Sequence, residues 1–108
     1  ILMFGDMFGN MEEMQKEMRE KLANLLVEAE AGDGAVRIEA NANREIVNIT
    51  LDADKLDMSD TEQLEDLIMV ATNRVLAAAA AKEQEEAQGM LKNMLPGGLG
   101  GLSNLLGK

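Results

Sequence analysis

The sequence predicts an α+β fold that assembles as a homodimer. We expect an N-terminal helix, a three-stranded antiparallel meander, a long C-terminal helix and a flexible Gly-rich tail. Apolar residues recur every three or four positions before residue 25 and after residue 60, but every second position between them. The 108 residues include only two aromatic side chains, so the core must be aliphatic and small. Sharing such a core with a second copy would stabilise it.

The first helix is predicted from about Asp6 to Asn24 by a single apolar seam. Glu12 with Lys16 and Glu17 with Lys21 have the spacing and order of favourable ion pairs on a helix. The methionines of the seam either pack against the body or a partner helix, or form an adaptable binding face. The seam consists of Met7, Met11, Met14, Met18, Leu22 and Leu25.

Three strands follow, in residues 25–31, 36–41 and 46–51. Apolar and polar residues alternate along them, which is typical of a sheet covered on one face only. Gly32, Asp33 and Gly34 form the first turn. Residues 42–44 form the second turn, where Asn43 is suited to left-handed backbone. The short turns predict an antiparallel meander.

The second helix is predicted to open at a capping box formed by Ser59 and Glu62. Its apolar positions cover more than half of the helix circumference, which is too wide for a helix that only covers a sheet. We therefore expect a dimer interface on this helix, formed by Met69, Val75, Leu76 and Ala79. The main stripe consists of Leu64, Leu67, Ile68, Ala71, Val75 and Ala79, widened by Met69, Leu76 and Ala80.

The chain divides into one domain, residues 1–95, and a flexible Gly/Leu-rich tail, residues 96–108. Pro96 ends the helix, and the glycines that follow make ordering costly, so the tail should be dispensable for folding. The chain has no apolar run near the ~20 residues of a membrane span. It also lacks a signal-peptide pattern. A cytoplasmic location is expected.

Composition excludes most catalytic chemistry. The chain has no cysteine and no histidine, so thiol catalysis, thiolate metal sites and the commonest general base are absent. The acidic linker after residue 51 lacks the central glycine of a calcium loop. We expect no enzyme activity, cofactor, metal or small-molecule substrate. The net charge of −10 taken alone argues against nucleic acid or an anionic membrane as a tight partner.

The residues nevertheless resemble the YbaB/EbfC family of bacterial nucleoid-associated proteins. The resemblance covers nearly the whole chain and includes the Met/Gln-rich start "MFGDMFGNMEEMQKEM". It continues through Gly32–Val36 and Ile38, then Ile46, Ile49 and Leu51, and through "LEDLIMVATNRV" in the second helix. These are structural positions and not a catalytic signature.

The resemblance implies a small cytoplasmic homodimer in the nucleoid that binds double-stranded DNA and affects nucleoid organisation or gene expression. Projecting helical ends of the dimer are expected to hold the duplex. The alternative is a dimeric protein-interaction module with little DNA affinity, whose Met seam or Leu-rich tail binds a protein. By position, the DNA-contacting candidates are Lys16, Arg19 and Lys21 on the first helix, and Arg74 and Lys82 on the second.

Overall fold

The computed structural model describes residues 2–94, and describes side chains for residues 9–93. Helix α1 spans Leu2–Ala23, strands β1, β2 and β3 span Leu26–Ala31, Val36–Asn41 and Ile46–Leu51, and helix α2 spans Thr61–Met94. This order confirms the predicted α+β fold, although α1 begins four residues earlier than the seam indicated. The predicted tail, residues 96–108, and the Met7 side chain lie outside the described residues.

The sheet is an antiparallel meander in the order β1-β2-β3, with Ile38 of β2 paired to Ala29 on one side and to Ile49 on the other. Gly32 and Gly34 make the first turn with positive φ angles of 67° and 88°. A Cβ atom at Gly32 would lie 3.1 Å from Leu67 of α2, so the strand end approaches the helix closely.

In the second turn the left-handed residue is Arg44, with φ of 64°, and not Asn43. Asn43 has another role, because its side-chain nitrogen donates a hydrogen bond to the Arg19 carbonyl at 2.9 Å. The buried Asn41 organises this turn: its side-chain oxygen accepts the backbone N–H groups of Asn43 and Glu45 at 3.0 and 3.2 Å. The turn therefore supports the base of α1.

Helix α2 packs across β1 and β2 and forms the core with them. The residues spaced three and four apart on α2 face the sheet, as their period predicted. Alanine at several of these positions lets helix and sheet approach closely. The fully covered core consists of Ala31, Val36, Ile38, Ala40, Ala71 and Val75, and Leu64, Leu67, Ile68 and Leu76 pack against it.

Strand β3 departs from the expectation of a sheet covered along one whole face. Its residues Ile46, Ile49 and Leu51 pair with core residues of β2 and share their face of the sheet. They remain exposed, 49% in the case of Ile49, because α2 crosses only the other two strands. A β-bulge opposite Ala40 inserts Val47, which is also exposed. An apolar edge strand is thus open to a partner.

The start of α2 corrects the predicted capping box by one residue. The Asp60 carboxylate accepts the backbone N–H of Gln63 at 3.1 Å, so Asp60 is the N-cap. Ser59 instead donates its hydroxyl proton to Asp57. From this cap α2 runs 34 residues, about 51 Å at 1.5 Å per residue. It extends well past the sheet in a molecule measuring 64 × 37 × 18 Å.

Candidate nucleic-acid interface

Two of the predicted DNA-contacting residues, Lys16 and Arg19, lie near each other on α1, with Arg19 on the flank that also borders Asn43 and Glu83. They are one turn apart and both exposed. Neither forms an ion pair with another described residue, and the predicted pair of Glu12 with Lys16 is not formed. Their charges are therefore available to an external anion, although Glu13, Glu17 and Glu20 share the surface around Lys16.

Lys21 is separated from this pair. It lies about 140° around the helix axis from Lys16, at 100° per residue. Its Nζ atom is 3.0 Å from the Glu86 carboxylate of α2. The predicted pair of Glu17 with Lys21 is replaced by this contact between helices. The sequence rule for neighbours on one helix could not foresee a carboxylate supplied by another element.

The two candidates on α2 are also engaged. Lys82 lies 3.7 Å from Glu85 and 3.9 Å from Glu86. Arg74 donates a guanidinium hydrogen bond to the Glu30 carbonyl at 2.9 Å, which ties α2 to β1. Arg74 stays exposed, and a guanidinium has further N–H groups free to reach a phosphate. Arg74 and Lys82 are about 12 Å apart along the helix.

The remaining basic residues of the sheet and loops make local contacts. Arg37 lies 3.5 Å from Glu30 and 3.8 Å from Glu28 on the polar face of the sheet. Arg44 pairs with Glu83 of α2 at 3.5 Å, and Lys55 donates to the Asp33 carbonyl at 2.9 Å. The segment after Ala81 therefore supplies carboxylates to two other parts of the chain, Glu86 to α1 and Glu83 to the turn after β2.

The base of α1 is fixed in place by backbone and amide contacts. The N–H of Ala42 lies 3.0 Å from the Leu22 carbonyl and 2.9 Å from that of Leu25, while the Leu22 side chain is buried. Asn43 adds its bond to the Arg19 carbonyl. Sequence analysis did not identify Asn41 and Asn43 as residues that position Arg19. The feature of the sequence that could have identified them is the presence of two asparagines at a turn, because asparagine side chains often form hydrogen bonds with the nearby backbone.

Above this base, the Met seam faces α2 across a groove of about 270 Å³. Met11, Met14 and Met18 of α1 line it together with Met90 of α2. This contact favours the interpretation of the seam as helix packing, although Met11 and Met14 remain exposed. The seam lies between the outer parts of the two helices, and Lys16 lies on the opposite side of α1.

The predicted dimer-interface residues divide into two groups. Val75 and Ala79 are fully buried in the core of the single chain, and Leu76 is half-buried against that core. Met69 is 57% exposed. Of the four, Met69 has the surface most available to a partner.

Other chemistry finds little support in the described residues. Within residues 9–93 no group of three acidic side chains is close enough to hold a metal ion. Hydrogen bonds from the Ser59 hydroxyl and then the Ser59 backbone N–H hold the pKa of Asp57 below its ordinary value, but Asp57 is an exposed loop residue. No helix in residues 2–94 has the length and hydropathy to cross a bilayer.

Comparisons with known proteins identify the family of the chain. A profile described as the YbaB/EbfC DNA-binding family matches residues 2–94. The chain is 41% identical over 102 residues to a nucleoid-associated protein of Acidobacterium capsulatum, covering 90% of this chain and 87% of that protein. It is 36% identical over 102 residues to a nucleoid-associated protein of Pelotomaculum thermopropionicum, covering 84% of this chain and 97% of that one.

Among solved structures, an uncharacterised protein of Helicobacter pylori has the same fold. It superposes with a TM-score of 0.68 at 23% identity, covering 82% of this chain and 92% of that one. This likeness concerns the fold alone.

Proposed function

Because the chain belongs to the YbaB/EbfC DNA-binding family, we propose that it acts as a homodimer that binds double-stranded DNA mainly through phosphate contacts. The observation that carries this proposal is the pair Lys16 and Arg19. Both are exposed, lie one turn apart on α1, and form no ion pair with a described residue. A phosphate can reach either of them without displacing a carboxylate of the described residues.

Phosphate contacts fit the residue types better than base contacts do. Reading base edges requires Arg, Asn or Gln side chains concentrated on an element that enters a groove. The outer face of α1 instead mixes Lys16 and Arg19 with glutamates. Binding is therefore weak and sequence-tolerant, because phosphates carry no direct sequence information. Such binding suits a role in nucleoid organisation, with effects on gene expression that follow from DNA occupancy.

The open face of β3 supports dimerisation. Ile46, Ile49 and Leu51 continue the apolar core face beyond α2, and an uncovered apolar edge strand is a site for pairing with another chain. Burying this face in a second copy would extend the small aliphatic core, and the exposed Met69 is a further candidate for the interface. A dimer doubles the number of exposed Lys16 and Arg19 side chains. If these cations converge in the dimer, they create a local positive potential on an acidic protein.

A salt titration with labelled duplex DNA tests the proposal. If two cations of each subunit contact phosphates, the log–log slope of affinity against salt is about −3 to −4 for the dimer. Affinity then falls on the order of 100-fold between low and physiological salt. The double variant Lys16→Glu with Arg19→Glu should abolish binding and leave the circular dichroism spectrum unchanged.

Two variants with the same net charge distinguish the loss of a specific DNA contact from a general effect of net charge. Lys16→Gln with Arg19→Gln and Arg37→Gln with Lys55→Gln each remove two positive charges. Only the first should weaken binding strongly, since Arg37 and Lys55 already contact groups of the chain itself. Equal losses in both variants, or no binding by the unaltered protein at low salt, would contradict the proposal.

A further inference from the structure

We propose that Glu86 is an internal competitor of the DNA phosphates, which holds Lys21 and Lys82 in ion pairs and thereby limits DNA affinity. This inference rests on the DNA-binding function proposed above. Glu86 would then determine DNA affinity, although an acidic residue would not be expected among the residues that govern DNA binding.

The geometry places one carboxylate between two lysines of different helices. One oxygen of Glu86 lies 3.0 Å from the Lys21 Nζ atom of α1, and the other lies 3.9 Å from the Lys82 Nζ atom one turn back on α2. Two of the five candidate DNA contacts are thus bound to the same side chain. The carboxylate lies within hydrogen-bond distance of the Lys21 ammonium group, where a phosphate oxygen would bind, and at a longer ion-pair distance from Lys82.

Burial distinguishes this carboxylate from its neighbour. The Glu86 side chain is 20% exposed, whereas Glu85, which also approaches Lys82, is 70% exposed. The shielding is on the Glu86 side, since the Lys21 side chain is 56% exposed, but a partly buried ion pair is still screened less by salt than a fully exposed one. Glu86 should therefore hold its lysines at salt concentrations that weaken the pair of Glu85 with Lys82.

Competition lowers DNA affinity in either of two ways. If Lys21 and Lys82 turn to phosphates, the ion pairs to Glu86 are lost and its charge is left beside the DNA. If they stay with Glu86, they release no counterions from the duplex, and the salt dependence reflects Lys16 and Arg19 alone. In both cases removing the negative charge of Glu86 favours the complex.

The test compares Glu86→Gln with Glu85→Gln by fluorescence anisotropy on the full chain, with a labelled mixed-sequence duplex at several salt concentrations. The two variants have the same net charge and lie side by side on α2. Glu86→Gln should bind several-fold more tightly at low salt, with a log–log slope steeper by about one to two per subunit. Glu85→Gln should stay close to the unaltered protein.

A third variant tests whether the gain in DNA affinity depends on Lys21. Adding Lys21→Gln to Glu86→Gln should remove most of the gain, which a general loss of negative charge would not explain. Glu86→Asp keeps the net charge but shortens the side chain that spans the two lysines, so it should give a smaller gain. Thermal melting of each variant checks that α1 and α2 stay folded, and Glu86→Asp serves as the test if Glu86→Gln does not fold.

The outcomes separate this inference from the proposed function. Equal affinity of Glu86→Gln and Glu85→Gln, in a protein whose DNA binding still depends on Lys16 and Arg19, overturns the role of Glu86 alone. Absence of binding by every form at low salt overturns both proposals. Tighter binding by Glu86→Gln that survives the replacement of both Lys21 and Lys82 by Gln assigns the effect to net charge and also overturns the inference.

Discussion

Different interactions stabilise the two ends of the molecule. We call the sheet with residues 61–80 of α2 the body, and α1 with residues 81–94 of α2 the stem. In the body, Val36, Ile38 and Val75 are fully covered, and no buried side-chain polar atom of the described residues lacks a hydrogen-bond partner. In the stem, methionines are partly exposed and the pair of Lys21 with Glu86 joins the helices.

This difference explains the elongated shape. A compact chain of about 100 residues has a radius of gyration of about 13 Å, whereas this protein measures 20.1 Å. Packing fixes the body because a displaced core side chain leaves a cavity or a clash. The stem projects and its methionine seam is only partly buried, so the ion pair of Lys21 with Glu86 contributes more to holding its helices than any ion pair does in the body. Stability is therefore concentrated in the body, whereas the proposed DNA contacts Lys16 and Arg19 lie in the stem.

The largest effect should come from placing a charge in the body. Val75→Asp buries a carboxylate without a partner, which costs about 3–5 kcal/mol in a domain whose total stability is typically about 5–15 kcal/mol. We expect loss of the cooperative thermal transition and of any dimer. Ala77→Asp, an exposed position two residues along the same helix, is the control and should melt normally. A Val75→Asp protein with an unchanged melting midpoint would show that the core tolerates water.

The second-largest effect should be loss of the dimer, caused by a charge on the uncovered face of β3. Ile49→Asp places a charge on the uncovered face of β3, at a side chain that is 49% exposed and outside the fully covered core, so the subunit should stay folded while the dimer dissociates. Sedimentation equilibrium at micromolar concentration measures this. Thr50→Asp, on the other face of the same strand, should remain dimeric. A dimeric Ile49→Asp protein would move the interface elsewhere, and a monomeric unaltered protein would remove the dimer altogether.

The sequence predicted the body better than the stem. Period-two and period-3.6 patterns determine which residues of β2 and α2 meet, because each pattern has one apolar face to bury. The same patterns could not show that α2 leaves β3 uncovered, since that depends on where the helix crosses the sheet. The cap was misplaced to Ser59 because Asp60 beside it has equal capping ability.

For the candidate site, sequence could identify the cations but not their partners. Lys16, Arg19 and Lys21 looked alike because all three lie on α1 among glutamates. Only the fold distinguishes Lys21 from the other two, because it brings Lys21 next to Glu86 of α2, which is distant in the sequence. Local rules for ion pairs on one helix favoured Glu17 as its partner, but the less exposed carboxylate of α2 competes more strongly for the ammonium group.

The smallest effect should come from the loop between β3 and α2, which belongs to neither region. The Ser59 hydroxyl is the larger cause of the lowered pKa of Asp57, and the Ser59 backbone N–H is the smaller one. Ser59→Ala removes the first and keeps the second, so the pKa of Asp57 should rise towards its ordinary value without fully reaching it. Titration of the Asp57 carboxyl carbon by NMR measures this change.

The sign of the stability effect follows from the direction of that pKa shift. A carboxyl group whose pKa is lower in the folded chain stabilises the fold above its unfolded pKa, about 3.9, and this contribution is lost as the pH falls through the folded pKa. The Ser59→Ala protein should therefore have a slightly lower melting temperature than the unaltered protein at neutral pH. This difference in melting temperature should diminish at acidic pH. Because Asp57 is fully exposed, we expect a shift far smaller than that of Val75→Asp. A Ser59→Ala melting loss comparable to the Val75→Asp effect would show that the loop, and not the packed core, limits the stability of the body.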